Sequence, residues 1–218
     1  MTARVSNGPE EGALTAMTRT KREIVTEFRT AEILEAAYRV FAERGFDEAT
    51  MAEIARAAGV AKGTLYLYYP SKQEIYEAAL RQSAVEVDAR TKAALERAAG
   101  VDGKIRAFIE TKLRFFEEHR DFFRLTERAY GYPARHASQH ARLVDELRLG
   151  QVKLLDQILQ QAVRRKAVRP VRTEAAAFAI FDLTRSIVTQ RLRGASRATL
   201  DDDIAFAFEL TWKGIGYR

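Results

Sequence analysis

Between residues 45 and 74 the chain is punctuated so closely that no long helix fits between the stops. Gly45-Phe46 is the pattern of a helix that ends on a left-handed glycine, with the next apolar side chain folded back onto it. The tetrapeptide 50-TMAE-53 is a capping box, in which Thr50 and Glu53 satisfy each other's exposed backbone donors and start a new helix. Gly59 stops that helix after Ala58. The next helix runs from Lys62 to Tyr68, and Pro70 forbids its smooth continuation. A second box, 71-SKQE-74, then opens a long helix through Ile75, Ala79 and Val85 towards Ala98. Two short helices joined by Gly59-Val60-Ala61 have the form of a helix-turn-helix, with Ile54 and Val60 supplying the apolar contacts between them.

The remainder keeps the helical period. Upstream, Ile33, Leu34, Ala37, Val40 and Phe41 recur at spacings of three and four, giving one apolar face from Arg29 onward. Residues 1–25, with Asn7-Gly8-Pro9 and the basic 19-RTKR-22, read as a flexible, solvated tail. Downstream, helices are expected over Lys104–His119 and Asp121–Ala129, from the loop 131-GYPARHAS-138 to about Ala167, over Thr173–Arg193, and over Leu200–Ile215. No stretch alternates apolar and polar residues as a half-buried strand would, so the fold class is all-α. A helix-turn-helix domain is expected over residues 26–75 and a helical domain over residues 76–218.

The last two helices are apolar around nearly their whole circumference in 175-AAAFAIFDL-183 and 204-IAFAFELTW-212. A helix of that kind must be buried on more than one side, which a second copy of the chain would provide. A homodimer is therefore expected, through Phe178, Phe181, Ile187, Phe206, Leu210 and Trp212. The aromatic residues Phe108, Phe115, Phe116, Phe123, Tyr130 and Phe181 are candidates to line an apolar ligand pocket, with plain core packing the competing reading.

Composition excludes several function classes. With 218 residues, 47% hydrophobic and 30% charged, the chain is globular rather than disordered. It has no cysteine, so disulfides, thiolate metal sites and thiol nucleophiles are excluded. The first 17 residues lack the apolar core of a signal peptide, and the longest apolar run, 175-AAAFAIF-181, is too short to span a bilayer. A cytoplasmic protein without a membrane partner is expected. No Ser/His/Asp ordering or Gly-rich phosphate loop supports an enzyme, so no catalytic residue and no cofactor are expected. His136 and His140 are four apart but lack a third ligand, and no metal site is expected. The run 164-RRKAVRPVR-172 reads as a solvated loop.

The net charge of +6 is unevenly distributed. Residues 1–80 hold 10 Lys/Arg and 12 Asp/Glu, a net of −2, and residues 81–218 hold 26 and 18, a net of +8. Attraction to a polyanion must therefore be argued locally. From Ile54 to Gln73 there are three cations, Arg56, Lys62 and Lys72, and no acid, so phosphates can approach without meeting a carboxylate. In the Lys62–Tyr68 helix the first backbone N–H groups are free for a phosphate, and Thr64 offers a hydroxyl and a methyl to DNA. Leu65 should face the core. Tyr66 and Tyr68 are the natural groove-facing pair, with Tyr69 packed inward.

The segment 31-AEILEAAYRVFAERGFDEATMAEIARAAGVAKGTLYLYYPSKQEIYEAAL-80 resembles the DNA-binding domain of the tetracycline-repressor (TetR) family of bacterial regulators. The resemblance rests on Ile33-Leu34, Gly45-Phe46, Thr50, Ala58-Gly59-Val60, the run Lys62-Gly63-Thr64-Leu65-Tyr66, and Lys72 after the Pro70-Ser71 step. It implies DNA contacts at Thr50, Lys62, Gly63, Thr64, Tyr66, Tyr68 and Lys72. Two positions depart from the family pattern: Ala61 stands where a serine is usual, and Tyr69 where a phenylalanine is usual. The resemblance further implies a helical ligand-binding domain, dimerisation through the last two helices, and repression from a pseudo-palindromic operator that a small molecule relieves by shifting the fourth helix. A ligand-insensitive DNA-binding protein, and a helical binding protein or enzyme without a regulatory role, are the alternatives.

Overall fold

The computed structural model describes residues 21–121, 123–124 and 139–216. Most of the amino-terminal tail, Phe122, Tyr130, and the 131–138 loop with Tyr132 and His136 lie outside the described residues. Every regular element among the described residues is a helix. In chain order these are α1 (Lys21–Arg44), α2 (Met51–Ala57), α3 (Lys62–Tyr68), α4 (Lys72–Arg97), α5 (Gly100–Glu118), α6 (Gln139–Arg164), α7 (Thr173–Leu192) and α8 (Leu200–Ile215). The structure begins α1 eight residues before the expected Arg29 and keeps the expected bounds of α3 and α8.

The helix ends follow the local chemistry. Thr50 Oγ1 accepts the Glu53 N–H at 3.2 Å, and the Glu53 carboxylate accepts the Thr50 N–H at 3.0 Å. The same reciprocal box starts α8, where Thr199 pairs with Asp202. At the end of α2, Gly59 has φ +66°, its N–H reaches the Arg56 carbonyl at 3.2 Å, and the Val60 N–H reaches the Ala55 carbonyl at 3.0 Å. That double bond pattern is the Schellman closure. It recurs after α7 at Gly194 and after α6, where the left-handed residue is Lys166 at φ +56°.

Two apolar clusters fill the interior. The first joins α1, α2, α3 and the front of α4 around Phe41, Ile54, Leu65, Ile75 and Leu80, all fully buried. Each such side chain contributes about 1.5–3 kcal/mol relative to exposure. The second joins the end of α4 to α5, α6, α7 and α8 around Phe108, Leu113, Phe116, Leu159 and Ile180. α4 is common to both, with Ile75 through Val87 in the first and Leu95 in the second. Tyr38 on α1 hydrogen-bonds Ser83 on α4 at 2.6 Å, and burial pushes its phenol up to about 12.

Lys112 and Asp203 are the buried charged side chains among the described residues. Asp203, in the first turn of α8, pairs with Arg191 of α7 at 2.7 Å, and Arg191 Nε reaches Glu117 of α5 at 2.8 Å. Lys112 sits in the middle of the core face of α5. Its ammonium lies 4.6 Å from the centroid of the Phe181 ring, and no carboxylate among the described residues pairs with it. Burial pushes the amine down to about 8 from its usual 10.5.

Two expected outcomes follow from these features. A non-glycine residue at φ +56° is strained by contact of its Cβ with the carbonyl oxygen, so Lys166→Gly should raise stability by about 1 kcal/mol in urea unfolding. Below pH 8 both the folded and the unfolded chain carry the Lys112 proton, and the folded chain bears the full desolvation cost. As pH rises from about 8 towards 10.5 the folded chain loses that proton first and the cost is lifted. Lys112→Met should therefore be the more stable protein near pH 7, by up to about 3 kcal/mol, with the gap closing towards about pH 10. Equal stability at both pH values in paired urea titrations would contradict this.

Candidate nucleic-acid interface

α2 and α3 are held as a rigid corner. Gly59 turns the chain, Val60 packs on the first cluster beside Ile54, and fully buried Leu65 anchors α3 from beneath. With Leu65 inward, the helical period turns Lys62, Gly63, Tyr66 and Leu67 outward along one face. Tyr66 is 43% exposed and Leu67 85%, the latter an unusual position for a leucine on a helix so firmly seated. The Lys62 ammonium lies 6.0 Å from the centroid of the Tyr66 ring.

This face carries no acid. Glu53, on the flank, is engaged in its capping box and pairs with Arg44 at 2.9 Å; the Thr50 hydrogen bond first, and Arg44 after it, hold its carboxyl below the usual range. Ala61, in the N-cap position of α3, makes no side-chain cap bond, unlike Thr50 and Ser71 before α2 and α4. A cationic, aromatic and apolar strip with unopposed positive charge suits phosphates at its amino-terminal end and base edges beyond it.

The expected contact residues do not all share one face. Lys62, Gly63 and Tyr66 are exposed together on the outer face of α3. Thr64 and Tyr68 are half-buried, and Tyr68 packs against the first cluster, so it does not share the outward face of Tyr66. Thr50 is exposed but its hydroxyl is already the cap of α2. Lys72 donates to the backbone carbonyls of Asp47 and Ala49 at 2.9 and 2.8 Å, and its ammonium lies 4.5 Å from the Phe46 ring centroid. It thus ties the start of α4 to the loop after α1. Tyr69 packs inward as expected, and burial raises its phenol. Leu67, not among the expected contacts, is the most exposed large apolar side chain of α3.

Elsewhere, Phe108, Phe115 and Phe116 are fully buried, Phe181 is buried at 7% exposure, and Phe123 packs between the two clusters. A cleft of about 240 Å³ opens between α4, α5 and α6, lined by Lys92, Leu95, Lys104, Leu154 and Ile158, and none of these phenylalanines lines it. Of the expected dimer residues, Phe206 and Leu210 are more than half exposed on α8, Phe178 and Trp212 are half-buried, and Phe181 and Ile187 face the core of their own subunit.

Gly63 offers a direct test of what this face is for. A Cβ placed there would meet nothing within 4 Å, and its backbone is not left-handed, so the fold itself does not require glycine. Gly63→Ala should fold at least as stably as the parent, with a gain of up to about 0.5–1 kcal/mol by urea unfolding. A marked loss would mean that the glycine serves the fold.

A sequence profile described as "Bacterial regulatory proteins, tetR family" matches residues 33–79, the segment that builds this corner. The chain is 35% identical over 97 residues to the HTH-type transcriptional activator FasR of Mycolicibacterium smegmatis, an alignment that spans 44% of each chain and so less than half the length of that relative. It is 29% identical over 193 residues to the HTH-type transcriptional regulator RutR of Escherichia coli K12, covering 85% of this chain and 87% of RutR. The fold is similar to that of the transcriptional regulator FadR of Bacillus subtilis, solved in complex with stearoyl-CoA, with a TM-score of 0.74, 22% identity, and coverage of 84% of this chain and 98% of that one. The helix-turn-helix corner is thus built from residues that match the tetR-family profile, and the all-helical fold is similar to that of these regulators across most of the chain.

Proposed function

We propose that the protein is a sequence-specific DNA-binding transcriptional regulator that places the outer face of α3 in a major groove. The observation that carries this reading is the acid-free strip of Lys62, Gly63, Tyr66 and Leu67, with a glycine that the fold does not need. In this reading Lys62 neutralises a phosphate, Gly63 admits the DNA backbone, and Tyr66 reaches a base edge or phosphate. Leu67 meets a thymine methyl group. Thr50, Thr64 and Tyr68 contribute at the margin, and Lys72 acts chiefly by fixing the α1–α4 junction that presents α3.

Residues 26–75 would form the DNA-reading unit and residues 76–218 the effector and dimerisation unit, in a cytoplasmic protein with no catalytic role. Phe206 and Leu210, one turn apart on the outside of α8, support a homodimer in which α7 and α8 pack on their copies. Two-fold symmetry then requires a pseudo-palindromic operator, with half-sites one or more helical turns apart. The second cluster, rich in phenylalanine, suits a largely apolar effector, the class to which the stearoyl group named with the FadR structure belongs. Such a ligand would release DNA, making the protein a repressor, to the extent that it prefers the state with the α3 helices wrongly spaced.

Fluorescence anisotropy of labelled DNA from upstream of the gene, with scrambled competitor, tests the DNA reading. Lys62→Ala should weaken binding to all sequences and reduce the slope of affinity against salt by about 1. Tyr66→Ala should cost about 1–3 kcal/mol and blur discrimination between sequences. Unchanged binding in both variants would remove α3 from the interface. For the dimer, Phe206→Glu combined with Leu210→Glu should shift the protein to monomer in sedimentation velocity and weaken operator binding at least tenfold. A variant that remained dimeric would refute this interface.

A further inference from the structure

The apolar face of α5 runs through Ile105, Phe108, Ile109, Leu113 and Phe116, and a lysine interrupts it. Lys112 is only 9% exposed. Its neighbour is an aromatic ring, which attracts a cation but accepts none of its three N–H bonds as an anion would. Elsewhere in the same cluster the buried charge is treated differently: Asp203 has Arg191 as a partner and Ser196 as a further donor. An ammonium set over the Phe181 ring, with no carboxylate among the described residues paired to it, is costly, and methionine or leucine would fill the same volume without that cost.

We propose that Lys112 is the anchor of the effector site and takes a carboxylate, so that the effector is a singly charged acid with an apolar or aromatic body. The inference rests on the ligand-responsive reading above and narrows it. One buried cation balances one negative charge. A phosphate-bearing carrier such as a thioester of coenzyme A would bring charge that one lysine does not balance, and a neutral molecule could accept a hydrogen bond from the ammonium but would leave its charge uncompensated. The carboxylate accepts short charge-assisted hydrogen bonds from the amine, and the body of the ligand packs beside Phe181, the ring already next to the ammonium. Burial depresses the amine only to about 8, so it remains mostly protonated near neutral pH and available to an anion.

The test uses the full-length protein and a panel of matched probes: straight-chain carboxylic acids from butanoic to hexadecanoic acid together with phenylacetic and 4-phenylbutyric acid, each beside its primary alcohol and its coenzyme A thioester. Binding is read by equilibrium dialysis near pH 7, and operator release by anisotropy. At least one acid is expected to bind tenfold or more tightly than its alcohol and its thioester. Lys112→Met, expected to fold stably, should lose that preference at least tenfold. The proposal is overturned if no acid outbinds its alcohol, if a thioester binds best, or if Lys112→Met keeps the preference for the acid. Alcohols or thioesters that bind and release DNA while acids do not would overturn the lysine anchor and leave the ligand-responsive reading intact. If no probe binds or alters DNA affinity, both fail together.

Discussion

The front of α4 is buried against α1 and its last turns against α5, so one continuous helix belongs to both apolar clusters. Its 26 residues span about 39 Å at the helical rise of 1.5 Å per residue. Ile75, Ala79 and Leu80 fasten one end beneath the helix-turn-helix corner, Leu95 fastens the other beside α5, and the Tyr38–Ser83 hydrogen bond pins the middle to α1. The position of α3 is therefore referred, through Leu65 and the first cluster, to a rod whose far end lies in the phenylalanine-rich bundle. A change in packing around α5 is transmitted to α3 only if α4 has two discrete seats, which makes the junction the bistable element of the proposed switch.

Charge inside the bundle is arranged in two ways. Arg191 joins α5 to α8 through Glu117 and Asp203, a closed set of partners that fixes three helices against one another. Lys112, on the same helix as Glu117, pairs with no carboxylate among the described residues and lies over the Phe181 ring. The first arrangement ties α7 and α8 firmly to α5. The second sets a buried cation on the helix that lies against α4, so a change of charge beside it would bear on how the bundle packs.

The helix-turn-helix was legible because its signals are local. Thr50, Glu53, Gly59, Pro70 and Ser71 act on their own backbone within a few residues, and the structure has each helix end where those residues put it. The start of α1 was less legible, because Val25 and Phe28 lie exposed and outside the apolar stripe that marks the helix from Ile33 onward. Faces were harder than elements. Tyr68 turns to the core and Leu67 to the outside because of how Leu65 seats α3, a packing outcome that spacing alone left open. The partners of Lys72 are carbonyls more than twenty residues earlier in the chain. Lys112 had a visible signal, a cation at the i+4 position from Phe108, but its significance depends on α7 closing over it with Phe181.

The central claim is that two copies of α3 read two related stretches of one DNA duplex. Selection of binding sites from a random double-stranded library with the full-length protein tests it most directly. The expected result is enrichment of an inverted repeat whose half-site centres fall one helical turn or more apart, and loss of that enrichment with Tyr66→Ala. A single asymmetric site, or retention of DNA without sequence enrichment, would contradict it.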